Sequence, residues 1–203
     1  MTALNRRAAI EHAVLVCSGL GLGAISLQAN AQNTAQNEKP ARALREMSIH
    51  KVKELGLQIW IENQPAWDAS LTKNGGQATF SVVSPNNYHP PAAMLFQSFQ
   101  QEKVATTQFQ NMAKQALRRA SANWGLLPAE IRAIPVTDQK YGVLDGYEAN
   151  FVGKSDEILM DVKIFVGQAE GQFPVILWIY TQQGKMDNLA EVIRRSWSKL
   201  TYL

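Results

Sequence analysis

Carboxylates are the side chains whose number and spacing come closest to a chemical site in this sequence. They cluster in one stretch as Asp138, Asp145, Glu148, Asp156, Glu157 and Asp161. Paired carboxylates can transfer protons or hold a divalent cation. Three of the aspartates adjoin turn residues, where Asp is common. Glu148, Asp161 and Lys163 alternate with apolar neighbours, as solvent-facing strand positions do. We therefore expect structural roles here, with a small-ligand or metal site in this stretch as the alternative.

The histidines give no support for metal or nucleophilic catalysis. Past residue 31 the chain has only His50 and His89, and neither has metal-ligand spacing to the other. Activation of a Ser or Thr needs a positioned base, and no G-x-S-x-G elbow is present. Gly153-Lys154-Ser155 matches the end of a phosphate loop, but Glu148 replaces its leading glycine. We expect no catalytic residue, metal or cofactor, and so no enzyme; a hydrolase with an unrecognised site is the alternative.

Tryptophans and arginines are the candidates for contacts with a partner. The chain has 5 Trp residues, and four of them fall on apolar faces of predicted elements. Trp67, in a Pro-Ala-Trp-Asp segment, is expected to be partly exposed and to touch a partner. Pairs of arginines occupy the polar faces of two predicted helices, and they would form one basic patch if those helices are neighbours. The pairs are Arg118 with Arg119 and Arg194 with Arg195.

The first 31 residues have the pattern of an export signal. Arg6 and Arg7 form a positive region, an uncharged apolar stretch covers 13–27, and Ala29-Asn30-Ala31 supplies a small-x-small cleavage site. The stretch is too short for a good membrane span. We predict cleavage near Ala31 and a periplasmic or secreted location, with an uncleaved anchor or a buried helix as alternatives. The only cysteine, Cys17, leaves with the signal.

The bulk composition is that of an ordinary globular domain. The chain has 203 residues, of which 46% are hydrophobic and 18% are charged, and its formal net charge is +3. That charge is too small, and the Lys and Arg residues too scattered, to indicate a nucleic-acid partner. We expect one domain over 56–203, preceded by a flexible lead-in over 32–55 that holds a possible short helix at 42–54.

Hydrophobic periodicity predicts three strands, a helix, four strands and a final helix. Apolar residues recur at helical spacing from Phe109 to Ala120, after a cap at Thr106 or Thr107 and before a left-handed Gly125. The final helix begins at a cap residue, Asp187 or Asn188. The predicted strands are 57–61, 78–83, 94–99, 131–136, 142–153, 158–167 and 173–181, the last of them central. Short turns join the late strands, so an α+β fold follows, a mainly antiparallel β-sheet flanked by helices.

The layout from 56 to 203 resembles the PsbP-like superfamily, which includes the extrinsic photosystem II protein, the Ran-binding Mog family and periplasmic DcrB-like proteins. The segments that carry the resemblance are 80–85, the helix ending near Trp124, 146–151, and 175–180 followed by a helix with Trp197. The resemblance implies an α-β-α sandwich without a conserved catalytic set. It also implies a non-enzymatic factor that binds another envelope or secreted protein, with a small-ligand or metal binder as the alternative.

Overall fold

Ten β-strands and three α-helices make up the described part of this computed structural model, residues 46–100, 104–156 and 158–203. The predicted export signal and most of the predicted lead-in lie outside the described residues. Along the chain the elements are β1 (Met47–Val52), β2 (Leu57–Glu62), β3 (Asp68–Asn74), β4 (Gln77–Val83), β5 (Ala92–Ser98), α1 (Thr106–Ser121), α2 (Pro128–Ala133), β6 (Val136–Tyr141), β7 (Leu144–Ser155), β8 (Ile158–Gln168), β9 (Val175–Gln182), α3 (Ala190–Trp197) and β10 (Thr201–Tyr202).

Seven of the strands form one large antiparallel sheet, in the order β3-β4-β5-β9-β8-β7-β6. β9 is the fourth strand, and seven of its eight residues are buried, so the prediction of a central strand here is confirmed. Burial on both faces explains its unbroken apolar sequence, since neither face needs polar residues. β1, β2 and β10 form a second, three-stranded sheet, in the order β1-β2-β10.

The two faces of the large sheet have different covers. α1 packs on β7 and β8, and its buried side chains include Phe109, Ala113 and Leu117. The opposite face is covered by β2 of the small sheet and by α3. The apolar stripe predicted for the final helix is confirmed, because every member is buried: Leu189, Val192, Ile193, Trp197 and Leu200. The mainly antiparallel α+β fold is therefore confirmed, and the family-level sandwich stays a prediction.

Several local predictions are wrong. Residues 47–52, expected in a short helix, form β1 and pair with β2. The first half of the strand expected at 131–136 belongs to the helix α2, where Pro128 at the first position favours a helix start. Glu130 then accepts the Leu127 N–H at 2.7 Å, which satisfies a donor at that start.

The N-cap residues predicted for α1 and for the final helix are also wrong. Ala105 precedes α1, and no side chain caps it. The segment Met186–Leu189 is a 3₁₀ turn before α3, so neither Asp187 nor Asn188 is the α-helical N-cap. The left-handed Gly125 is confirmed, with φ 67°. Within the described ranges, no helix is long and apolar enough to cross a bilayer.

Candidate functional site: a cleft at the end of the large sheet

A cleft of about 660 Å³ opens at one end of the large sheet, on the face that carries α1. Its walls come from the first turns of α1, from β6, from the start of β7 and from the loop after β8. The lining residues are Phe109, Gln110, Asp138, Gln139, Lys140, Asp145, Gly146, Tyr147, Gln168, Ala169, Glu170 and Gly171. The volume lies within the usual range for sites that bind small organic molecules, about 300–1,000 Å³.

The β6–β7 hairpin places the charged side chains on one wall of the cleft. Asp138 pairs with Tyr147 and Lys140 with Asp145, so all four project from the same face. The Lys140 ammonium donates to both Asp145 carboxylate oxygens, at 2.9 and 3.0 Å. Both side chains remain more than half exposed, so the ion pair is screened by water.

Gly146 brings the chain close to β8 beside the cleft. A Cβ at this position would lie 2.1 Å from the Val166 carbonyl oxygen and 2.8 Å from the Phe165 ring. No larger residue fits without moving the backbone. The absence of a Cβ at Gly146 therefore allows β7 and β8 to lie close together beside the cleft.

The loop after β8 forms the opposite wall and is held by Tyr202 of β10. The Tyr202 hydroxyl donates to the Phe173 carbonyl at 2.9 Å and accepts the Ala169 N–H at 3.4 Å. Burial raises the pKa of Tyr202 to about 12. Gly171 has φ 71°, a conformation that side chains other than glycine's rarely adopt, and this turns the chain so that Glu170 lines the cleft.

Aromatic rings form the apolar part of the lining. The rings of Phe109 and Tyr147 lie 6.1 Å apart, one from α1 and the other from β7. The Lys114 ammonium lies 5.7 Å from the centre of the Tyr147 ring, within the range of a cation–π contact. Rings next to carboxylates suit a ligand that has an apolar body and polar substituents.

The carboxylate cluster expected from the sequence is divided by the fold. Asp138 and Asp145 reach the cleft, where Glu170 from a later loop joins them. Asp161 lies on the other face of the sheet, and its carboxylate accepts the N–H groups of Lys185 and Met186 at 2.9 and 3.1 Å. No group of three or more His, Cys, Asp or Glu side chains in the described residues is placed to hold a metal ion.

Glu148 and Lys163, expected to face solvent, instead form a buried cluster on the face opposite the cleft. The Glu148 side chain is 8% exposed and the Lys163 side chain 17%. Oε1 of Glu148 accepts from the Lys163 ammonium at 2.5 Å and from Asn150 at 2.9 Å. Oε2 accepts from the Tyr141 hydroxyl at 2.6 Å. Burial and the Glu148 carboxylate both raise the pKa of Tyr141, burial the more.

The expectation that Trp67 is partly exposed is wrong. It is 7% exposed, and its ring meets the Tyr88 ring edge-on at 4.9 Å, so it belongs to the core.

His50, expected near a helix, lies on β1 beside the Phe80 ring, and burial lowers its pKa. His89 is exposed in the loop before β5.

The two arginine pairs do not form one patch, because α1 and α3 lie on opposite faces of the large sheet. Arg118 and Arg119 are exposed in the last turn of α1. Arg194 pairs with Glu191 at 2.7 Å, and Arg195 is largely buried with its guanidinium 3.9 Å from Glu62. Partner contacts by Arg118 and Arg119 stay a prediction.

The sequence matches no protein-family model and no curated protein. Five chains of solved structures match the fold, among them the following two. One is a Bacteroides thetaiotaomicron protein, with 10% identity and a TM-score of 0.49 over 72% of this chain, which spans only 45% of that protein. The other is LpqN of Mycobacterium tuberculosis, described as involved in cell envelope biogenesis, with 12% identity and a TM-score of 0.45 over 71% of this chain and 82% of LpqN. Neither likeness identifies a family or a function.

Proposed function

We propose that this chain is an exported, non-enzymatic binding protein whose cleft takes a small ligand. The observation that carries the proposal is the cleft itself, a site of about 660 Å³ with aromatic and charged walls supplied by four separate elements. Among the described residues, the lining includes no Ser, Thr, Cys or His side chain that could act as a nucleophile or its base. We assign its polar groups to recognition of a ligand, and turnover of a ligand by the purified protein would contradict this assignment.

The charges of the lining indicate what the ligand carries. The three carboxylates Asp138, Asp145 and Glu170 outnumber the two lysines at the cleft. Lys140 is already paired with Asp145, and Lys114 lies over the Tyr147 ring. The site therefore has an excess of acceptors, and it favours hydrogen-bond donors and cationic groups such as primary amines. The rings of Phe109 and Tyr147 add surface for an apolar body. An organic amine of modest size, such as a polyamine, a basic amino acid or an amino sugar, fits this description.

Thermal denaturation with a ligand panel tests the proposal. A ligand at about 100 times its Kd adds about 2.7 kcal/mol to the unfolding free energy, which raises Tm by several degrees. We expect amines to raise Tm, and neutral or anionic analogues not to. The double variant Asp138→Asn/Glu170→Gln keeps the Lys140–Asp145 pair and should abolish the shift. Asp187→Asn removes an exposed carboxylate outside the cleft and should preserve it. No shift with any amine, or a shift that survives the double variant, would contradict the proposal.

The second candidate function is that of an accessory factor that binds another envelope or secreted protein. Its support is β3, in which six of seven residues are exposed. β3 pairs only with β4 among the described residues, and such an edge can accept a further strand from a partner. A photocrosslinking residue at Leu71 should then capture one protein reproducibly, whereas the same residue at Val143, exposed in the β6–β7 turn, should not. Equal capture from both positions would dismiss this candidate.

A further inference from the structure

The small sheet has one face in the core and one turned away from it. Leu57, Ile59 and Ile61 of β2 are buried against the large sheet. The alternate residues of β2 point to the other side, as do their partners on β1. We call this side the outer face, and it consists of Met47, Ile49, Lys51, Gln58, Trp60 and Glu62.

Apolar side chains lie exposed on the outer face. Ile49 is 49% exposed and pairs directly with Trp60, which is only half-buried. Leu203, 58% exposed, adjoins these strands because its N–H donates to the Gly56 carbonyl. Exposed residues of this kind gathered on one strand face indicate an interaction surface more strongly than scattered ones do.

The accessible charges of the outer face are positive. The Lys199 ammonium lies 5.0 Å from the centre of the Trp60 ring, and Lys51 is exposed across from Gln58. The carboxylate on this face, Glu62, is 4% exposed, accepts the Tyr88 hydroxyl at 2.9 Å and lies 3.9 Å from Arg195. An occupant therefore meets lysines and an indole, with the one carboxylate already enclosed.

We propose that the outer face docks on an anionic lipid bilayer. Indole rings favour the boundary between head groups and hydrocarbon, where one edge is apolar and the other is wet. Lysine ammonium groups on flexible stems suit mobile lipid phosphates, whereas arginine provides the fixed fork that suits a defined carboxylate. Each lysine near such a surface contributes about 1 kcal/mol, a factor of about five in affinity. The proposal is independent of the cleft, which lies on the α1 face of the large sheet, whereas the small sheet covers the opposite face.

A fluorophore on the outer face tests the docking within the full chain. In a Cys17→Ser background, Ile49→Cys carries a polarity-sensitive NBD label, and Ser70→Cys carries it in a matched protein. Ser70 is exposed on β3 and pairs with Ser81, on the sheet face opposite the small sheet. Label 49 should brighten with phosphatidylglycerol vesicles and not with phosphatidylcholine vesicles, and label 70 should not respond. Both labelled proteins contain residues 1–31. The label at position 70 therefore serves as the control for vesicle binding through that segment.

Charge variants complete the test. Lys51→Gln/Lys199→Gln should weaken vesicle binding by about fivefold per lysine. Lys154→Gln/Lys185→Gln removes the same charge elsewhere and should leave the response at label 49 intact. No response at label 49, an equal response to phosphatidylcholine, or an unchanged affinity in the first variant would each overturn the proposal. A response to soluble polyglutamate but not to vesicles would also overturn it, and would point to an acidic polypeptide instead.

Discussion

The two faces of the β6–β7 hairpin both carry charged pairs, but in opposite surroundings. On one face Lys140 and Asp145 lie at the mouth of the cleft, and their side chains are 64% and 71% exposed. On the other face Lys163 and Glu148 are enclosed, and every oxygen of Glu148 has a partner. Water screens the first pair and leaves it free to exchange partners for a ligand. The second pair cannot be broken cheaply, because a lone buried charge has no solvent to stabilise it.

Removing the positive charge of Lys163 from the buried pair should lower the stability of the protein the most. Lys163→Met leaves Glu148 buried without its counter-charge, and we expect a loss of about 3–5 kcal/mol in the unfolding free energy from urea melts. The double variant Lys163→Met/Glu148→Met should recover a substantial part of that loss, since two apolar groups need no partner. A double variant as unstable as the single one would show that the charge is not the cause.

Removing the Trp197 ring, which packs on the Tyr141 ring, should lower the unfolding free energy about as much. Trp197 is fully buried and meets the Tyr141 ring edge-on at 5.1 Å. Trp197→Ala should cost about 3–5 kcal/mol, as truncations of buried Trp do. Leu127→Ala, at a residue that is 66% exposed, should change little. A loss below about 1 kcal/mol for Trp197→Ala would mean that α3 does not hold this face closed.

Removing the Tyr141 hydroxyl from the buried cluster should lower the stability of the protein by a smaller amount. Tyr141→Phe keeps the ring but removes a donor to Glu148, which should cost about 1–3 kcal/mol. The raised pKa of Tyr141 means that folding favours its protonated form, so this contribution is present below the ordinary value of 10 and is lost as pH rises above it. Wild type should lose stability above pH 10 more steeply than the variant does. Equal slopes in urea melts across that range would refute this role.

Breaking the exposed Lys140–Asp145 ion pair should change the stability of the protein the least. Lys140→Met breaks the ion pair with Asp145 at the cleft, and we expect a change within about 1 kcal/mol because both groups are hydrated. The change should shrink further in high salt. If Lys140→Met and Lys163→Met prove equally costly, burial is not what separates the two faces.

Local periodicity predicted the elements with a clear apolar stripe. The stripe of α1, the stripe from Leu189 to Leu200, and the apolar run of β9 each bury a continuous surface, so their sequence patterns are strong. β1 and β3 lack that signal. Two of the three inward residues of β1, Ser48 and His50, are polar, and only Val52 is apolar. No residue of β3 is buried. Their strand structure is decided by pairing with neighbours rather than by their own composition.

The site was predictable only in part, because alternation shows which residues share a face but not what covers that face. The pattern placed Glu148 and Lys163 on one face but gave no sign that both side chains are buried there. The sequence does place Asp138 and Asp145 in one stretch that is rich in carboxylates. Glu170 and Phe109 reach the same cleft from other elements, and only the register of the sheet and the packing of α1 bring them there.

The last strand has a consequence for when the domain is able to fold. β10 pairs with β2, and α3, just before it, packs against β2 as well. A ribosome therefore finishes β2 long before it makes the segments that shield it. Until α3 and β10 are made, Leu57 and Ile59 lack part of their covering, so the core around β2 cannot be completed before these last elements leave the ribosome.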